Sequence, residues 1–164
     1  MGSNDMNIIL AGFQGVGKTS CGKLLAAKID FTFIDTDVLL CDAHGATSAR
    51  VLYQKVGEKA FREFEGEALQ GLQACQNSVI ALGGGSLLAP GAEELVPNLG
   101  RLLYLYLPLE VLVADCARFC SGAFVSEDRF KEHYLQRHAL FDRVCSERID
   151  VENMSFDEIV NKIL

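Results

Sequence analysis

Gly12, Gly15, Gly17, Lys18 and Thr19 stand in the run GFQGVGKTS and fit G-x-x-x-x-G-K-[ST], a spacing built to hold a polyphosphate. The glycines permit backbone angles closed to other residues, so consecutive N–H groups can turn inward while a helix start adds its positive dipole end. Lys18 is expected to reach the outer phosphates, the Thr19 hydroxyl to ligate a magnesium ion, and Ser20 to add a phosphate contact. Further along, Asp35-Thr36-Asp37 offers two carboxylates at i and i+2, which on an extended chain project to one side. One of them can hold magnesium through water while the other accepts a hydrogen bond from an attacking hydroxyl. The structural alternative is that one or both cap the helix expected from Val38. In the helical pattern Glu58 to Glu65, Arg62 and Glu65 share a face. They read either as an exposed ion pair or as a glutamate buttressing an arginine fork that takes a substrate carboxylate. Gly83-Gly84-Gly85 marks either backbone approaching a ligand closely or a plain turn.

These residues need elements to carry them. An apolar run from Asn7 to Ala11 precedes the glycine loop, and Cys21 to Lys28 is helical in pattern after it. Phe31–Ile34, Asn77–Leu82, Arg101–Leu107 and Arg148–Val151 read as four more strands with helical material between them. Such alternation predicts a parallel sheet covered on both faces, a three-layer α/β/α sandwich with ligands at the carboxyl ends of the strands. With 164 residues, 49% of them hydrophobic, the chain supports one domain over residues 6–164. Residues 1–5 read as a cloning remnant or loose terminus.

A net charge of −7 opposes non-specific nucleic-acid binding, so an anionic small substrate must be held by a few focused cations. There is no run long enough for a membrane span and no basic-then-apolar leader, which predicts a cytoplasmic protein. The six cysteines lack metal-ligand spacing and read as reduced thiols; Cys116 and Cys120, one helical turn apart, are either a redox pair or buried small hydrophobes.

The ordered set GFQGVGKT, DTD, FRxFE, GGG and Gln136-Arg137 in YLQRHALFDRV closely resembles the shikimate kinase family, from Met6 to Leu164. The resemblance implies a P-loop NTPase fold with a five-stranded sheet in the order 2-3-1-4-5. It also implies a monomer, ATP and Mg²⁺ as cosubstrate and cofactor, and γ-phosphoryl transfer to the 3-hydroxyl of shikimate. Carried over residue by residue, Gly15, Val16, Gly17, Lys18, Thr19 and Ser20 hold the ATP phosphates, and Thr19 directly and Asp35 through water hold magnesium. Arg62 and Arg137 clamp the shikimate carboxylate with Glu65 in support, Asp37 orients the ring hydroxyls and assists the attacking one, and Gly83, Gly84 and Gly85 shape the pocket. The substrate helices fall near residues 38–75 and a lid near 119–130.

In the lid this chain departs from the family pattern. Ser121 and Gly122 stand where arginine and proline are expected, which leaves Arg118 as the substitute catalytic arginine and Arg129 as a weaker one. Asn153-Met154-Ser155 stands where relatives offer an arginine to adenine, and Ala114 or Asp115 where another is usual, so the departures predict weak nucleotide affinity and reduced turnover. Two further readings stay open: a kinase-like protein that binds nucleotide without efficient transfer, and a kinase for another small carboxylated hydroxy compound.

Overall fold

A computed structural model describes residues 6–114 and 127–164. Five parallel strands, β1 (Asn7–Gly12), β2 (Thr32–Asp35), β3 (Ser78–Ala81), β4 (Gly100–Tyr106) and β5 (Glu147–Asp150), form one sheet in the order β2-β3-β1-β4-β5. Each lies within a residue or two of its expected position. Ile9 pairs with Ile80 on one side and Leu102 on the other, so β1 is central and covered on both faces, which is why it reads as a continuous apolar run. The edge strands β2 and β5 are short, four residues each, as edges that must not pair with other chains tend to be.

Side chains alternate between the two faces. Leu10, Leu103 and Leu105 join a core with Cys21, Leu25, Ile159 and Val160, from helices α1 (Lys18–Ile29) and α8 (Phe156–Ile163). Ile9, Ala11, Leu102 and Tyr104 join another with Leu69 and Phe141, from α4 (Glu58–Gly71) and α7 (Glu127–Val144). This is the period-two pattern of a strand buried on both sides. A small third cluster, Leu40, Leu52 and Phe61, ties α2 (Thr36–His44) and α3 (Ala49–Val56) to α4. Two short helices, α5 (Ala92–Leu95) and α6 (Leu109–Ala114), complete the described set.

Three expectations change. The helix after the glycine loop starts at Lys18 rather than Cys21, because Gly17 in the left-handed region, φ 101°, turns the chain straight into it. The helix expected from Val38 starts two residues earlier, at Thr36. Of the lid region, 119–126 lies outside the described residues, while Glu127 to Phe130 already form the first turn of α7. The chain leaves β1 toward β2 and leaves β3 toward β4, so the connections diverge and open a crevice at the strands' carboxyl ends.

Candidate active site

The crevice is a cleft of about 1570 Å³ whose floor is the glycine loop. Gly12, Gly15 and Gly17 all have positive φ, at 155°, 86° and 101°. The Lys18 ammonium donates to the carbonyls of Gly12 (2.7 Å) and Phe13 (3.0 Å), curling over the loop. Burial lowers its pKa to about 8, against the pull of the Asp37 carboxylate. Thr19 and Ser20 are exposed, whereas Val16 is buried and packs into the core, so only its backbone is available to a phosphate.

The acidic pair is not extended. Asp35 ends β2 and caps α2, its Oδ1 accepting from the Asp37 N–H at 3.0 Å, while Asp37 lies in the first helical turn. The capping alternative therefore holds for Asp35 and not for Asp37, and the i, i+2 rule for extended chain does not apply across a strand-to-helix junction. Both still line the cleft. Asp35 Oδ2 accepts from Thr19 Oγ1 at 2.9 Å, which brings the two candidate magnesium residues together. Desolvation, reinforced by Asp35, pushes the Asp37 carboxyl up to about 6 although Lys18 opposes it.

Arg62 and Glu65 are not an exposed pair. Glu65 is 2% exposed, accepts from Arg62 Nη1 through Oε2 and from Ser86 Oγ (3.1 Å) through Oε1. Arg62 Nη1 also donates to the Gly85 carbonyl at 3.2 Å, and its Nε has no hydrogen-bond partner among the described residues.

The triple glycine is a structured turn, its Gly83 carbonyl accepting from Ser86 N–H at 3.1 Å. Space, not backbone angle, demands glycine at Gly83 and Gly85, since none of the three has positive φ. A Cβ on Gly83 would collide with the Asp37 carboxylate, and one on Gly85 would fall 2.6 Å from Arg62 Nη1. On Gly84 it would meet Arg137 Nη1 at 3.5 Å, an ordinary contact. Arg137 is buried on α7, with its guanidinium 5.4 Å from the centre of the Phe13 ring. Burial and the nearby Arg62 charge lower its pKa to about 10. Two adjacent glycines thus carry the two arginines, with Asp37 on the third.

Several supports carried no signal in the motifs. The buried Thr36 hydroxyl accepts from Gly83 N–H at 2.8 Å and lies 3.5 Å from Ser86 Oγ, linking the acidic pair to the glycine turn and, through Ser86, to Glu65. Glu58, Tyr53 and His133 also line the cleft; a helical-wheel reading backward from Arg62 and Arg137 would have found Glu58 and His133. Arg129 lines it from the first turn of α7, and Arg118 lies outside the described residues. At the far end, Phe156 covers Gly17, where a Cβ would fall 2.9 Å from the ring, and Asn153 and Met154 complete the wall. Ser155 and Glu158 form the expected capping box of α8.

The shikimate kinase family model matches residues 14–164. A shikimate kinase from Alkaliphilus oremlandii is 31% identical over 164 residues, covering 96% of each chain. One from Geobacter sulfurreducens is 37% identical over 112 residues, 68% of this chain and 61% of that one. The solved shikimate kinase from Acinetobacter baumannii in complex with shikimate superposes with a TM-score of 0.87 at 28% identity, covering 96% of this chain and 90% of that one. Strand order, glycine loop and matched length agree, and the chain belongs to the shikimate kinase family.

Proposed function

We propose that this chain transfers the γ-phosphoryl group of ATP to the 3-hydroxyl of shikimate, giving shikimate 3-phosphate and ADP. The observation that carries this reading is the convergence of Arg62 and Arg137 on adjacent glycines of a turn whose first residue contacts Asp37. Two guanidinium groups brought to one turn fit a single carboxylate. A neutral sugar or a nucleobase would offer no anion to these two cations.

In this mechanism Arg62 and Arg137 fix the acid, and Glu65 holds Arg62 in place from behind. Asp37, ionised above pH about 6, accepts the proton of the attacking hydroxyl as its oxygen bonds to the terminal phosphorus and the bridge to the departing diphosphate breaks. Loop N–H groups from Gly15 to Ser20 and the Lys18 ammonium hold the phosphates; Lys18 needs only to turn from the Gly12 and Phe13 carbonyls. Thr19 Oγ1 and Asp35 Oδ2, 2.9 Å apart, suit a hard cation that takes oxygen ligands, with Asp35 acting through water. When bound, Mg²⁺ supplies charge neutralisation on the transferring phosphates. Arg118 and Arg129 are the cations assigned to the lid. We place the enzyme in the cytoplasm as a monomer, since ATP is a cytosolic donor and the cleft is built within one chain; among the described residues no helix is long and apolar enough to cross a membrane.

Coupled measurement of ADP release with and without shikimate tests the reading. Shikimate-dependent release is expected. ATP binding without release would favour the kinase-like binding protein, and release with a different hydroxy acid would move the acceptor. Replacing Arg118 and Arg129 singly by alanine locates the lid cation through loss of turnover.

A further inference from the structure

Phe13 follows Gly12 in the phosphate loop and is 2% exposed, so its ring lies inside the fold and does not line the cleft. Its backbone and its ring meet different cations. The carbonyl accepts from the Lys18 ammonium at 3.0 Å. The ring is clasped by one helix: Phe130 meets it edge to face with centroids 5.1 Å apart, Tyr134 does so at 5.7 Å, and the Arg137 guanidinium lies over it at 5.4 Å. Positions 130, 134 and 137 step by four and three along α7 and so form one stripe. Phe130 and Tyr134 pack as a core stripe would. Arg137 is a cation in the same row, and apolar packing does not account for it.

Electrostatics does. Arg137 is buried and shares the glycine turn with Arg62, a like charge that works against it. Glu65 answers that charge from a distance, but its two oxygens are already bonded to Arg62 and Ser86. An aromatic face carries the negative lobe of the ring quadrupole and attracts a guanidinium within about 6 Å, most strongly where water is excluded. The ring cannot slide away, since Phe130 and Tyr134 hold its sides and the Tyr134 hydroxyl donates to the Leu107 carbonyl at 2.9 Å. A long, flexible side chain is thereby given one seat before a ligand arrives, which lowers the ordering cost of binding.

We propose that Phe13 is a positioning residue for the acceptor, its ring face seating the Arg137 guanidinium beside Gly84 so that the acid meets a clamp already aimed. This rests on the acceptor reading above, in which Arg137 takes the acid's carboxylate. The phosphate loop then serves both ends of the cleft, through the Phe13 carbonyl at the donor end and the Phe13 ring at the acceptor end.

Replacing Phe13 by phenylalanines carrying one, two, three and five ring fluorines tests this. Fluorine withdraws charge from the ring face while leaving the backbone carbonyl and nearly all of the ring's shape in place. The KM for shikimate is expected to climb stepwise along the series, to about tenfold with five fluorines, the size of a desolvated cation–π contact. The KM for ATP and kcat should stay within about twofold, as when only acceptor binding is lost. In an Arg137→Gln background, where the cation is gone, shikimate affinity should be weak and level along the same series, read by calorimetric titration. A shikimate KM that ignores fluorination, a KM for ATP that rises in step with it, or a slope that survives Arg137→Gln would overturn the seat while leaving the kinase reading intact. An unmodified protein that releases no ADP on shikimate would overturn both.

Discussion

The acceptor end of the cleft and the base end differ in what holds them. At the acceptor end, Asp37, Arg62, Glu65 and Arg137 come from three helices and are supported by Thr36, Ser86 and Phe13 through contacts between residues 21 to 124 positions apart. At the base end, the turn from β5 into α8 is held by neighbours: Asp150 Oδ1 accepts from Glu152 N–H, Met154 N–H donates to Val151, and Ser155 and Glu158 cap each other. The first arrangement buries charge, and the displaced pKa values of Asp37 and Arg137 record the cost. The second exposes it. A change at the acceptor end must therefore propagate, because each buried charge depends on another element, whereas a change at the base end should stay where it is made.

The sharpest break of this contrast is Asp37→Asn. Turnover is expected to fall by about 10²- to 10⁴-fold, the range for losing a positioned proton acceptor. In the parent, turnover should drop as pH falls through about 6, since only the carboxylate accepts the proton. The same variant should be more stable. The folded Asp37 binds its proton up to pH about 6 whereas the unfolded residue releases it near pH 4, so parental stability falls as pH rises across that window. At pH 7 the asparagine variant should therefore exceed the parent by about 1–3 kcal/mol, with the difference gone below about pH 4, as read by urea unfolding at both pH values. A variant no more stable than its parent at pH 7 would mean that the acceptor end does not bear the cost assigned to it.

Next in size is Arg62→Ala, which leaves Glu65 buried without its partner. Removing one member of a buried pair costs about 3–5 kcal/mol, so the midpoint of unfolding should fall together with acceptor affinity. Smaller and more discriminating is the comparison of Gly85→Ala with Gly84→Ala. The first forces the Arg62 guanidinium aside and should raise the shikimate KM about tenfold, as a displaced hydrogen-bonding charge does, while the second fits and should leave it nearly unchanged. Equal effects would show that the turn, not the arginine beneath it, is what matters. The smallest effect belongs to the base end: Ser155→Ala should lower stability by about 0.5–2 kcal/mol in thermal unfolding with no change in shikimate KM.

Much of the site was legible because its chemistry is local. Gly12 to Ser20 carry their own turn and helix start, and Ser155 to Glu158 their own cap. What was misread depended on where a strand stops. Asp35 and Asp37 read as a pair on extended chain, yet Thr36 opens a helix because the Asp35 carboxylate accepts from the Asp37 N–H, one of the helix's first free donors. Arg62 and Glu65 left two readings open, since spacing gives a shared face but says nothing about what covers it. Thr36 and Ser86 were invisible, being ordinary hydroxyls whose partners lie far along the chain.

The order of residues alone determined the phosphate cradle, the alternation that makes a parallel sheet, and the helical phase that puts Arg62 beside Glu65 and His133 beside Arg137. Those features depend on backbone geometry within a few residues, which side-chain type sets directly. Only the assembled fold decided that Arg62 and Arg137 meet at Gly84 and Gly85, that Glu65 is buried behind them, and that burial shifts Asp37 toward neutrality. Distance between helices and exclusion of water belong to the packed whole, and no stretch of chain contains them.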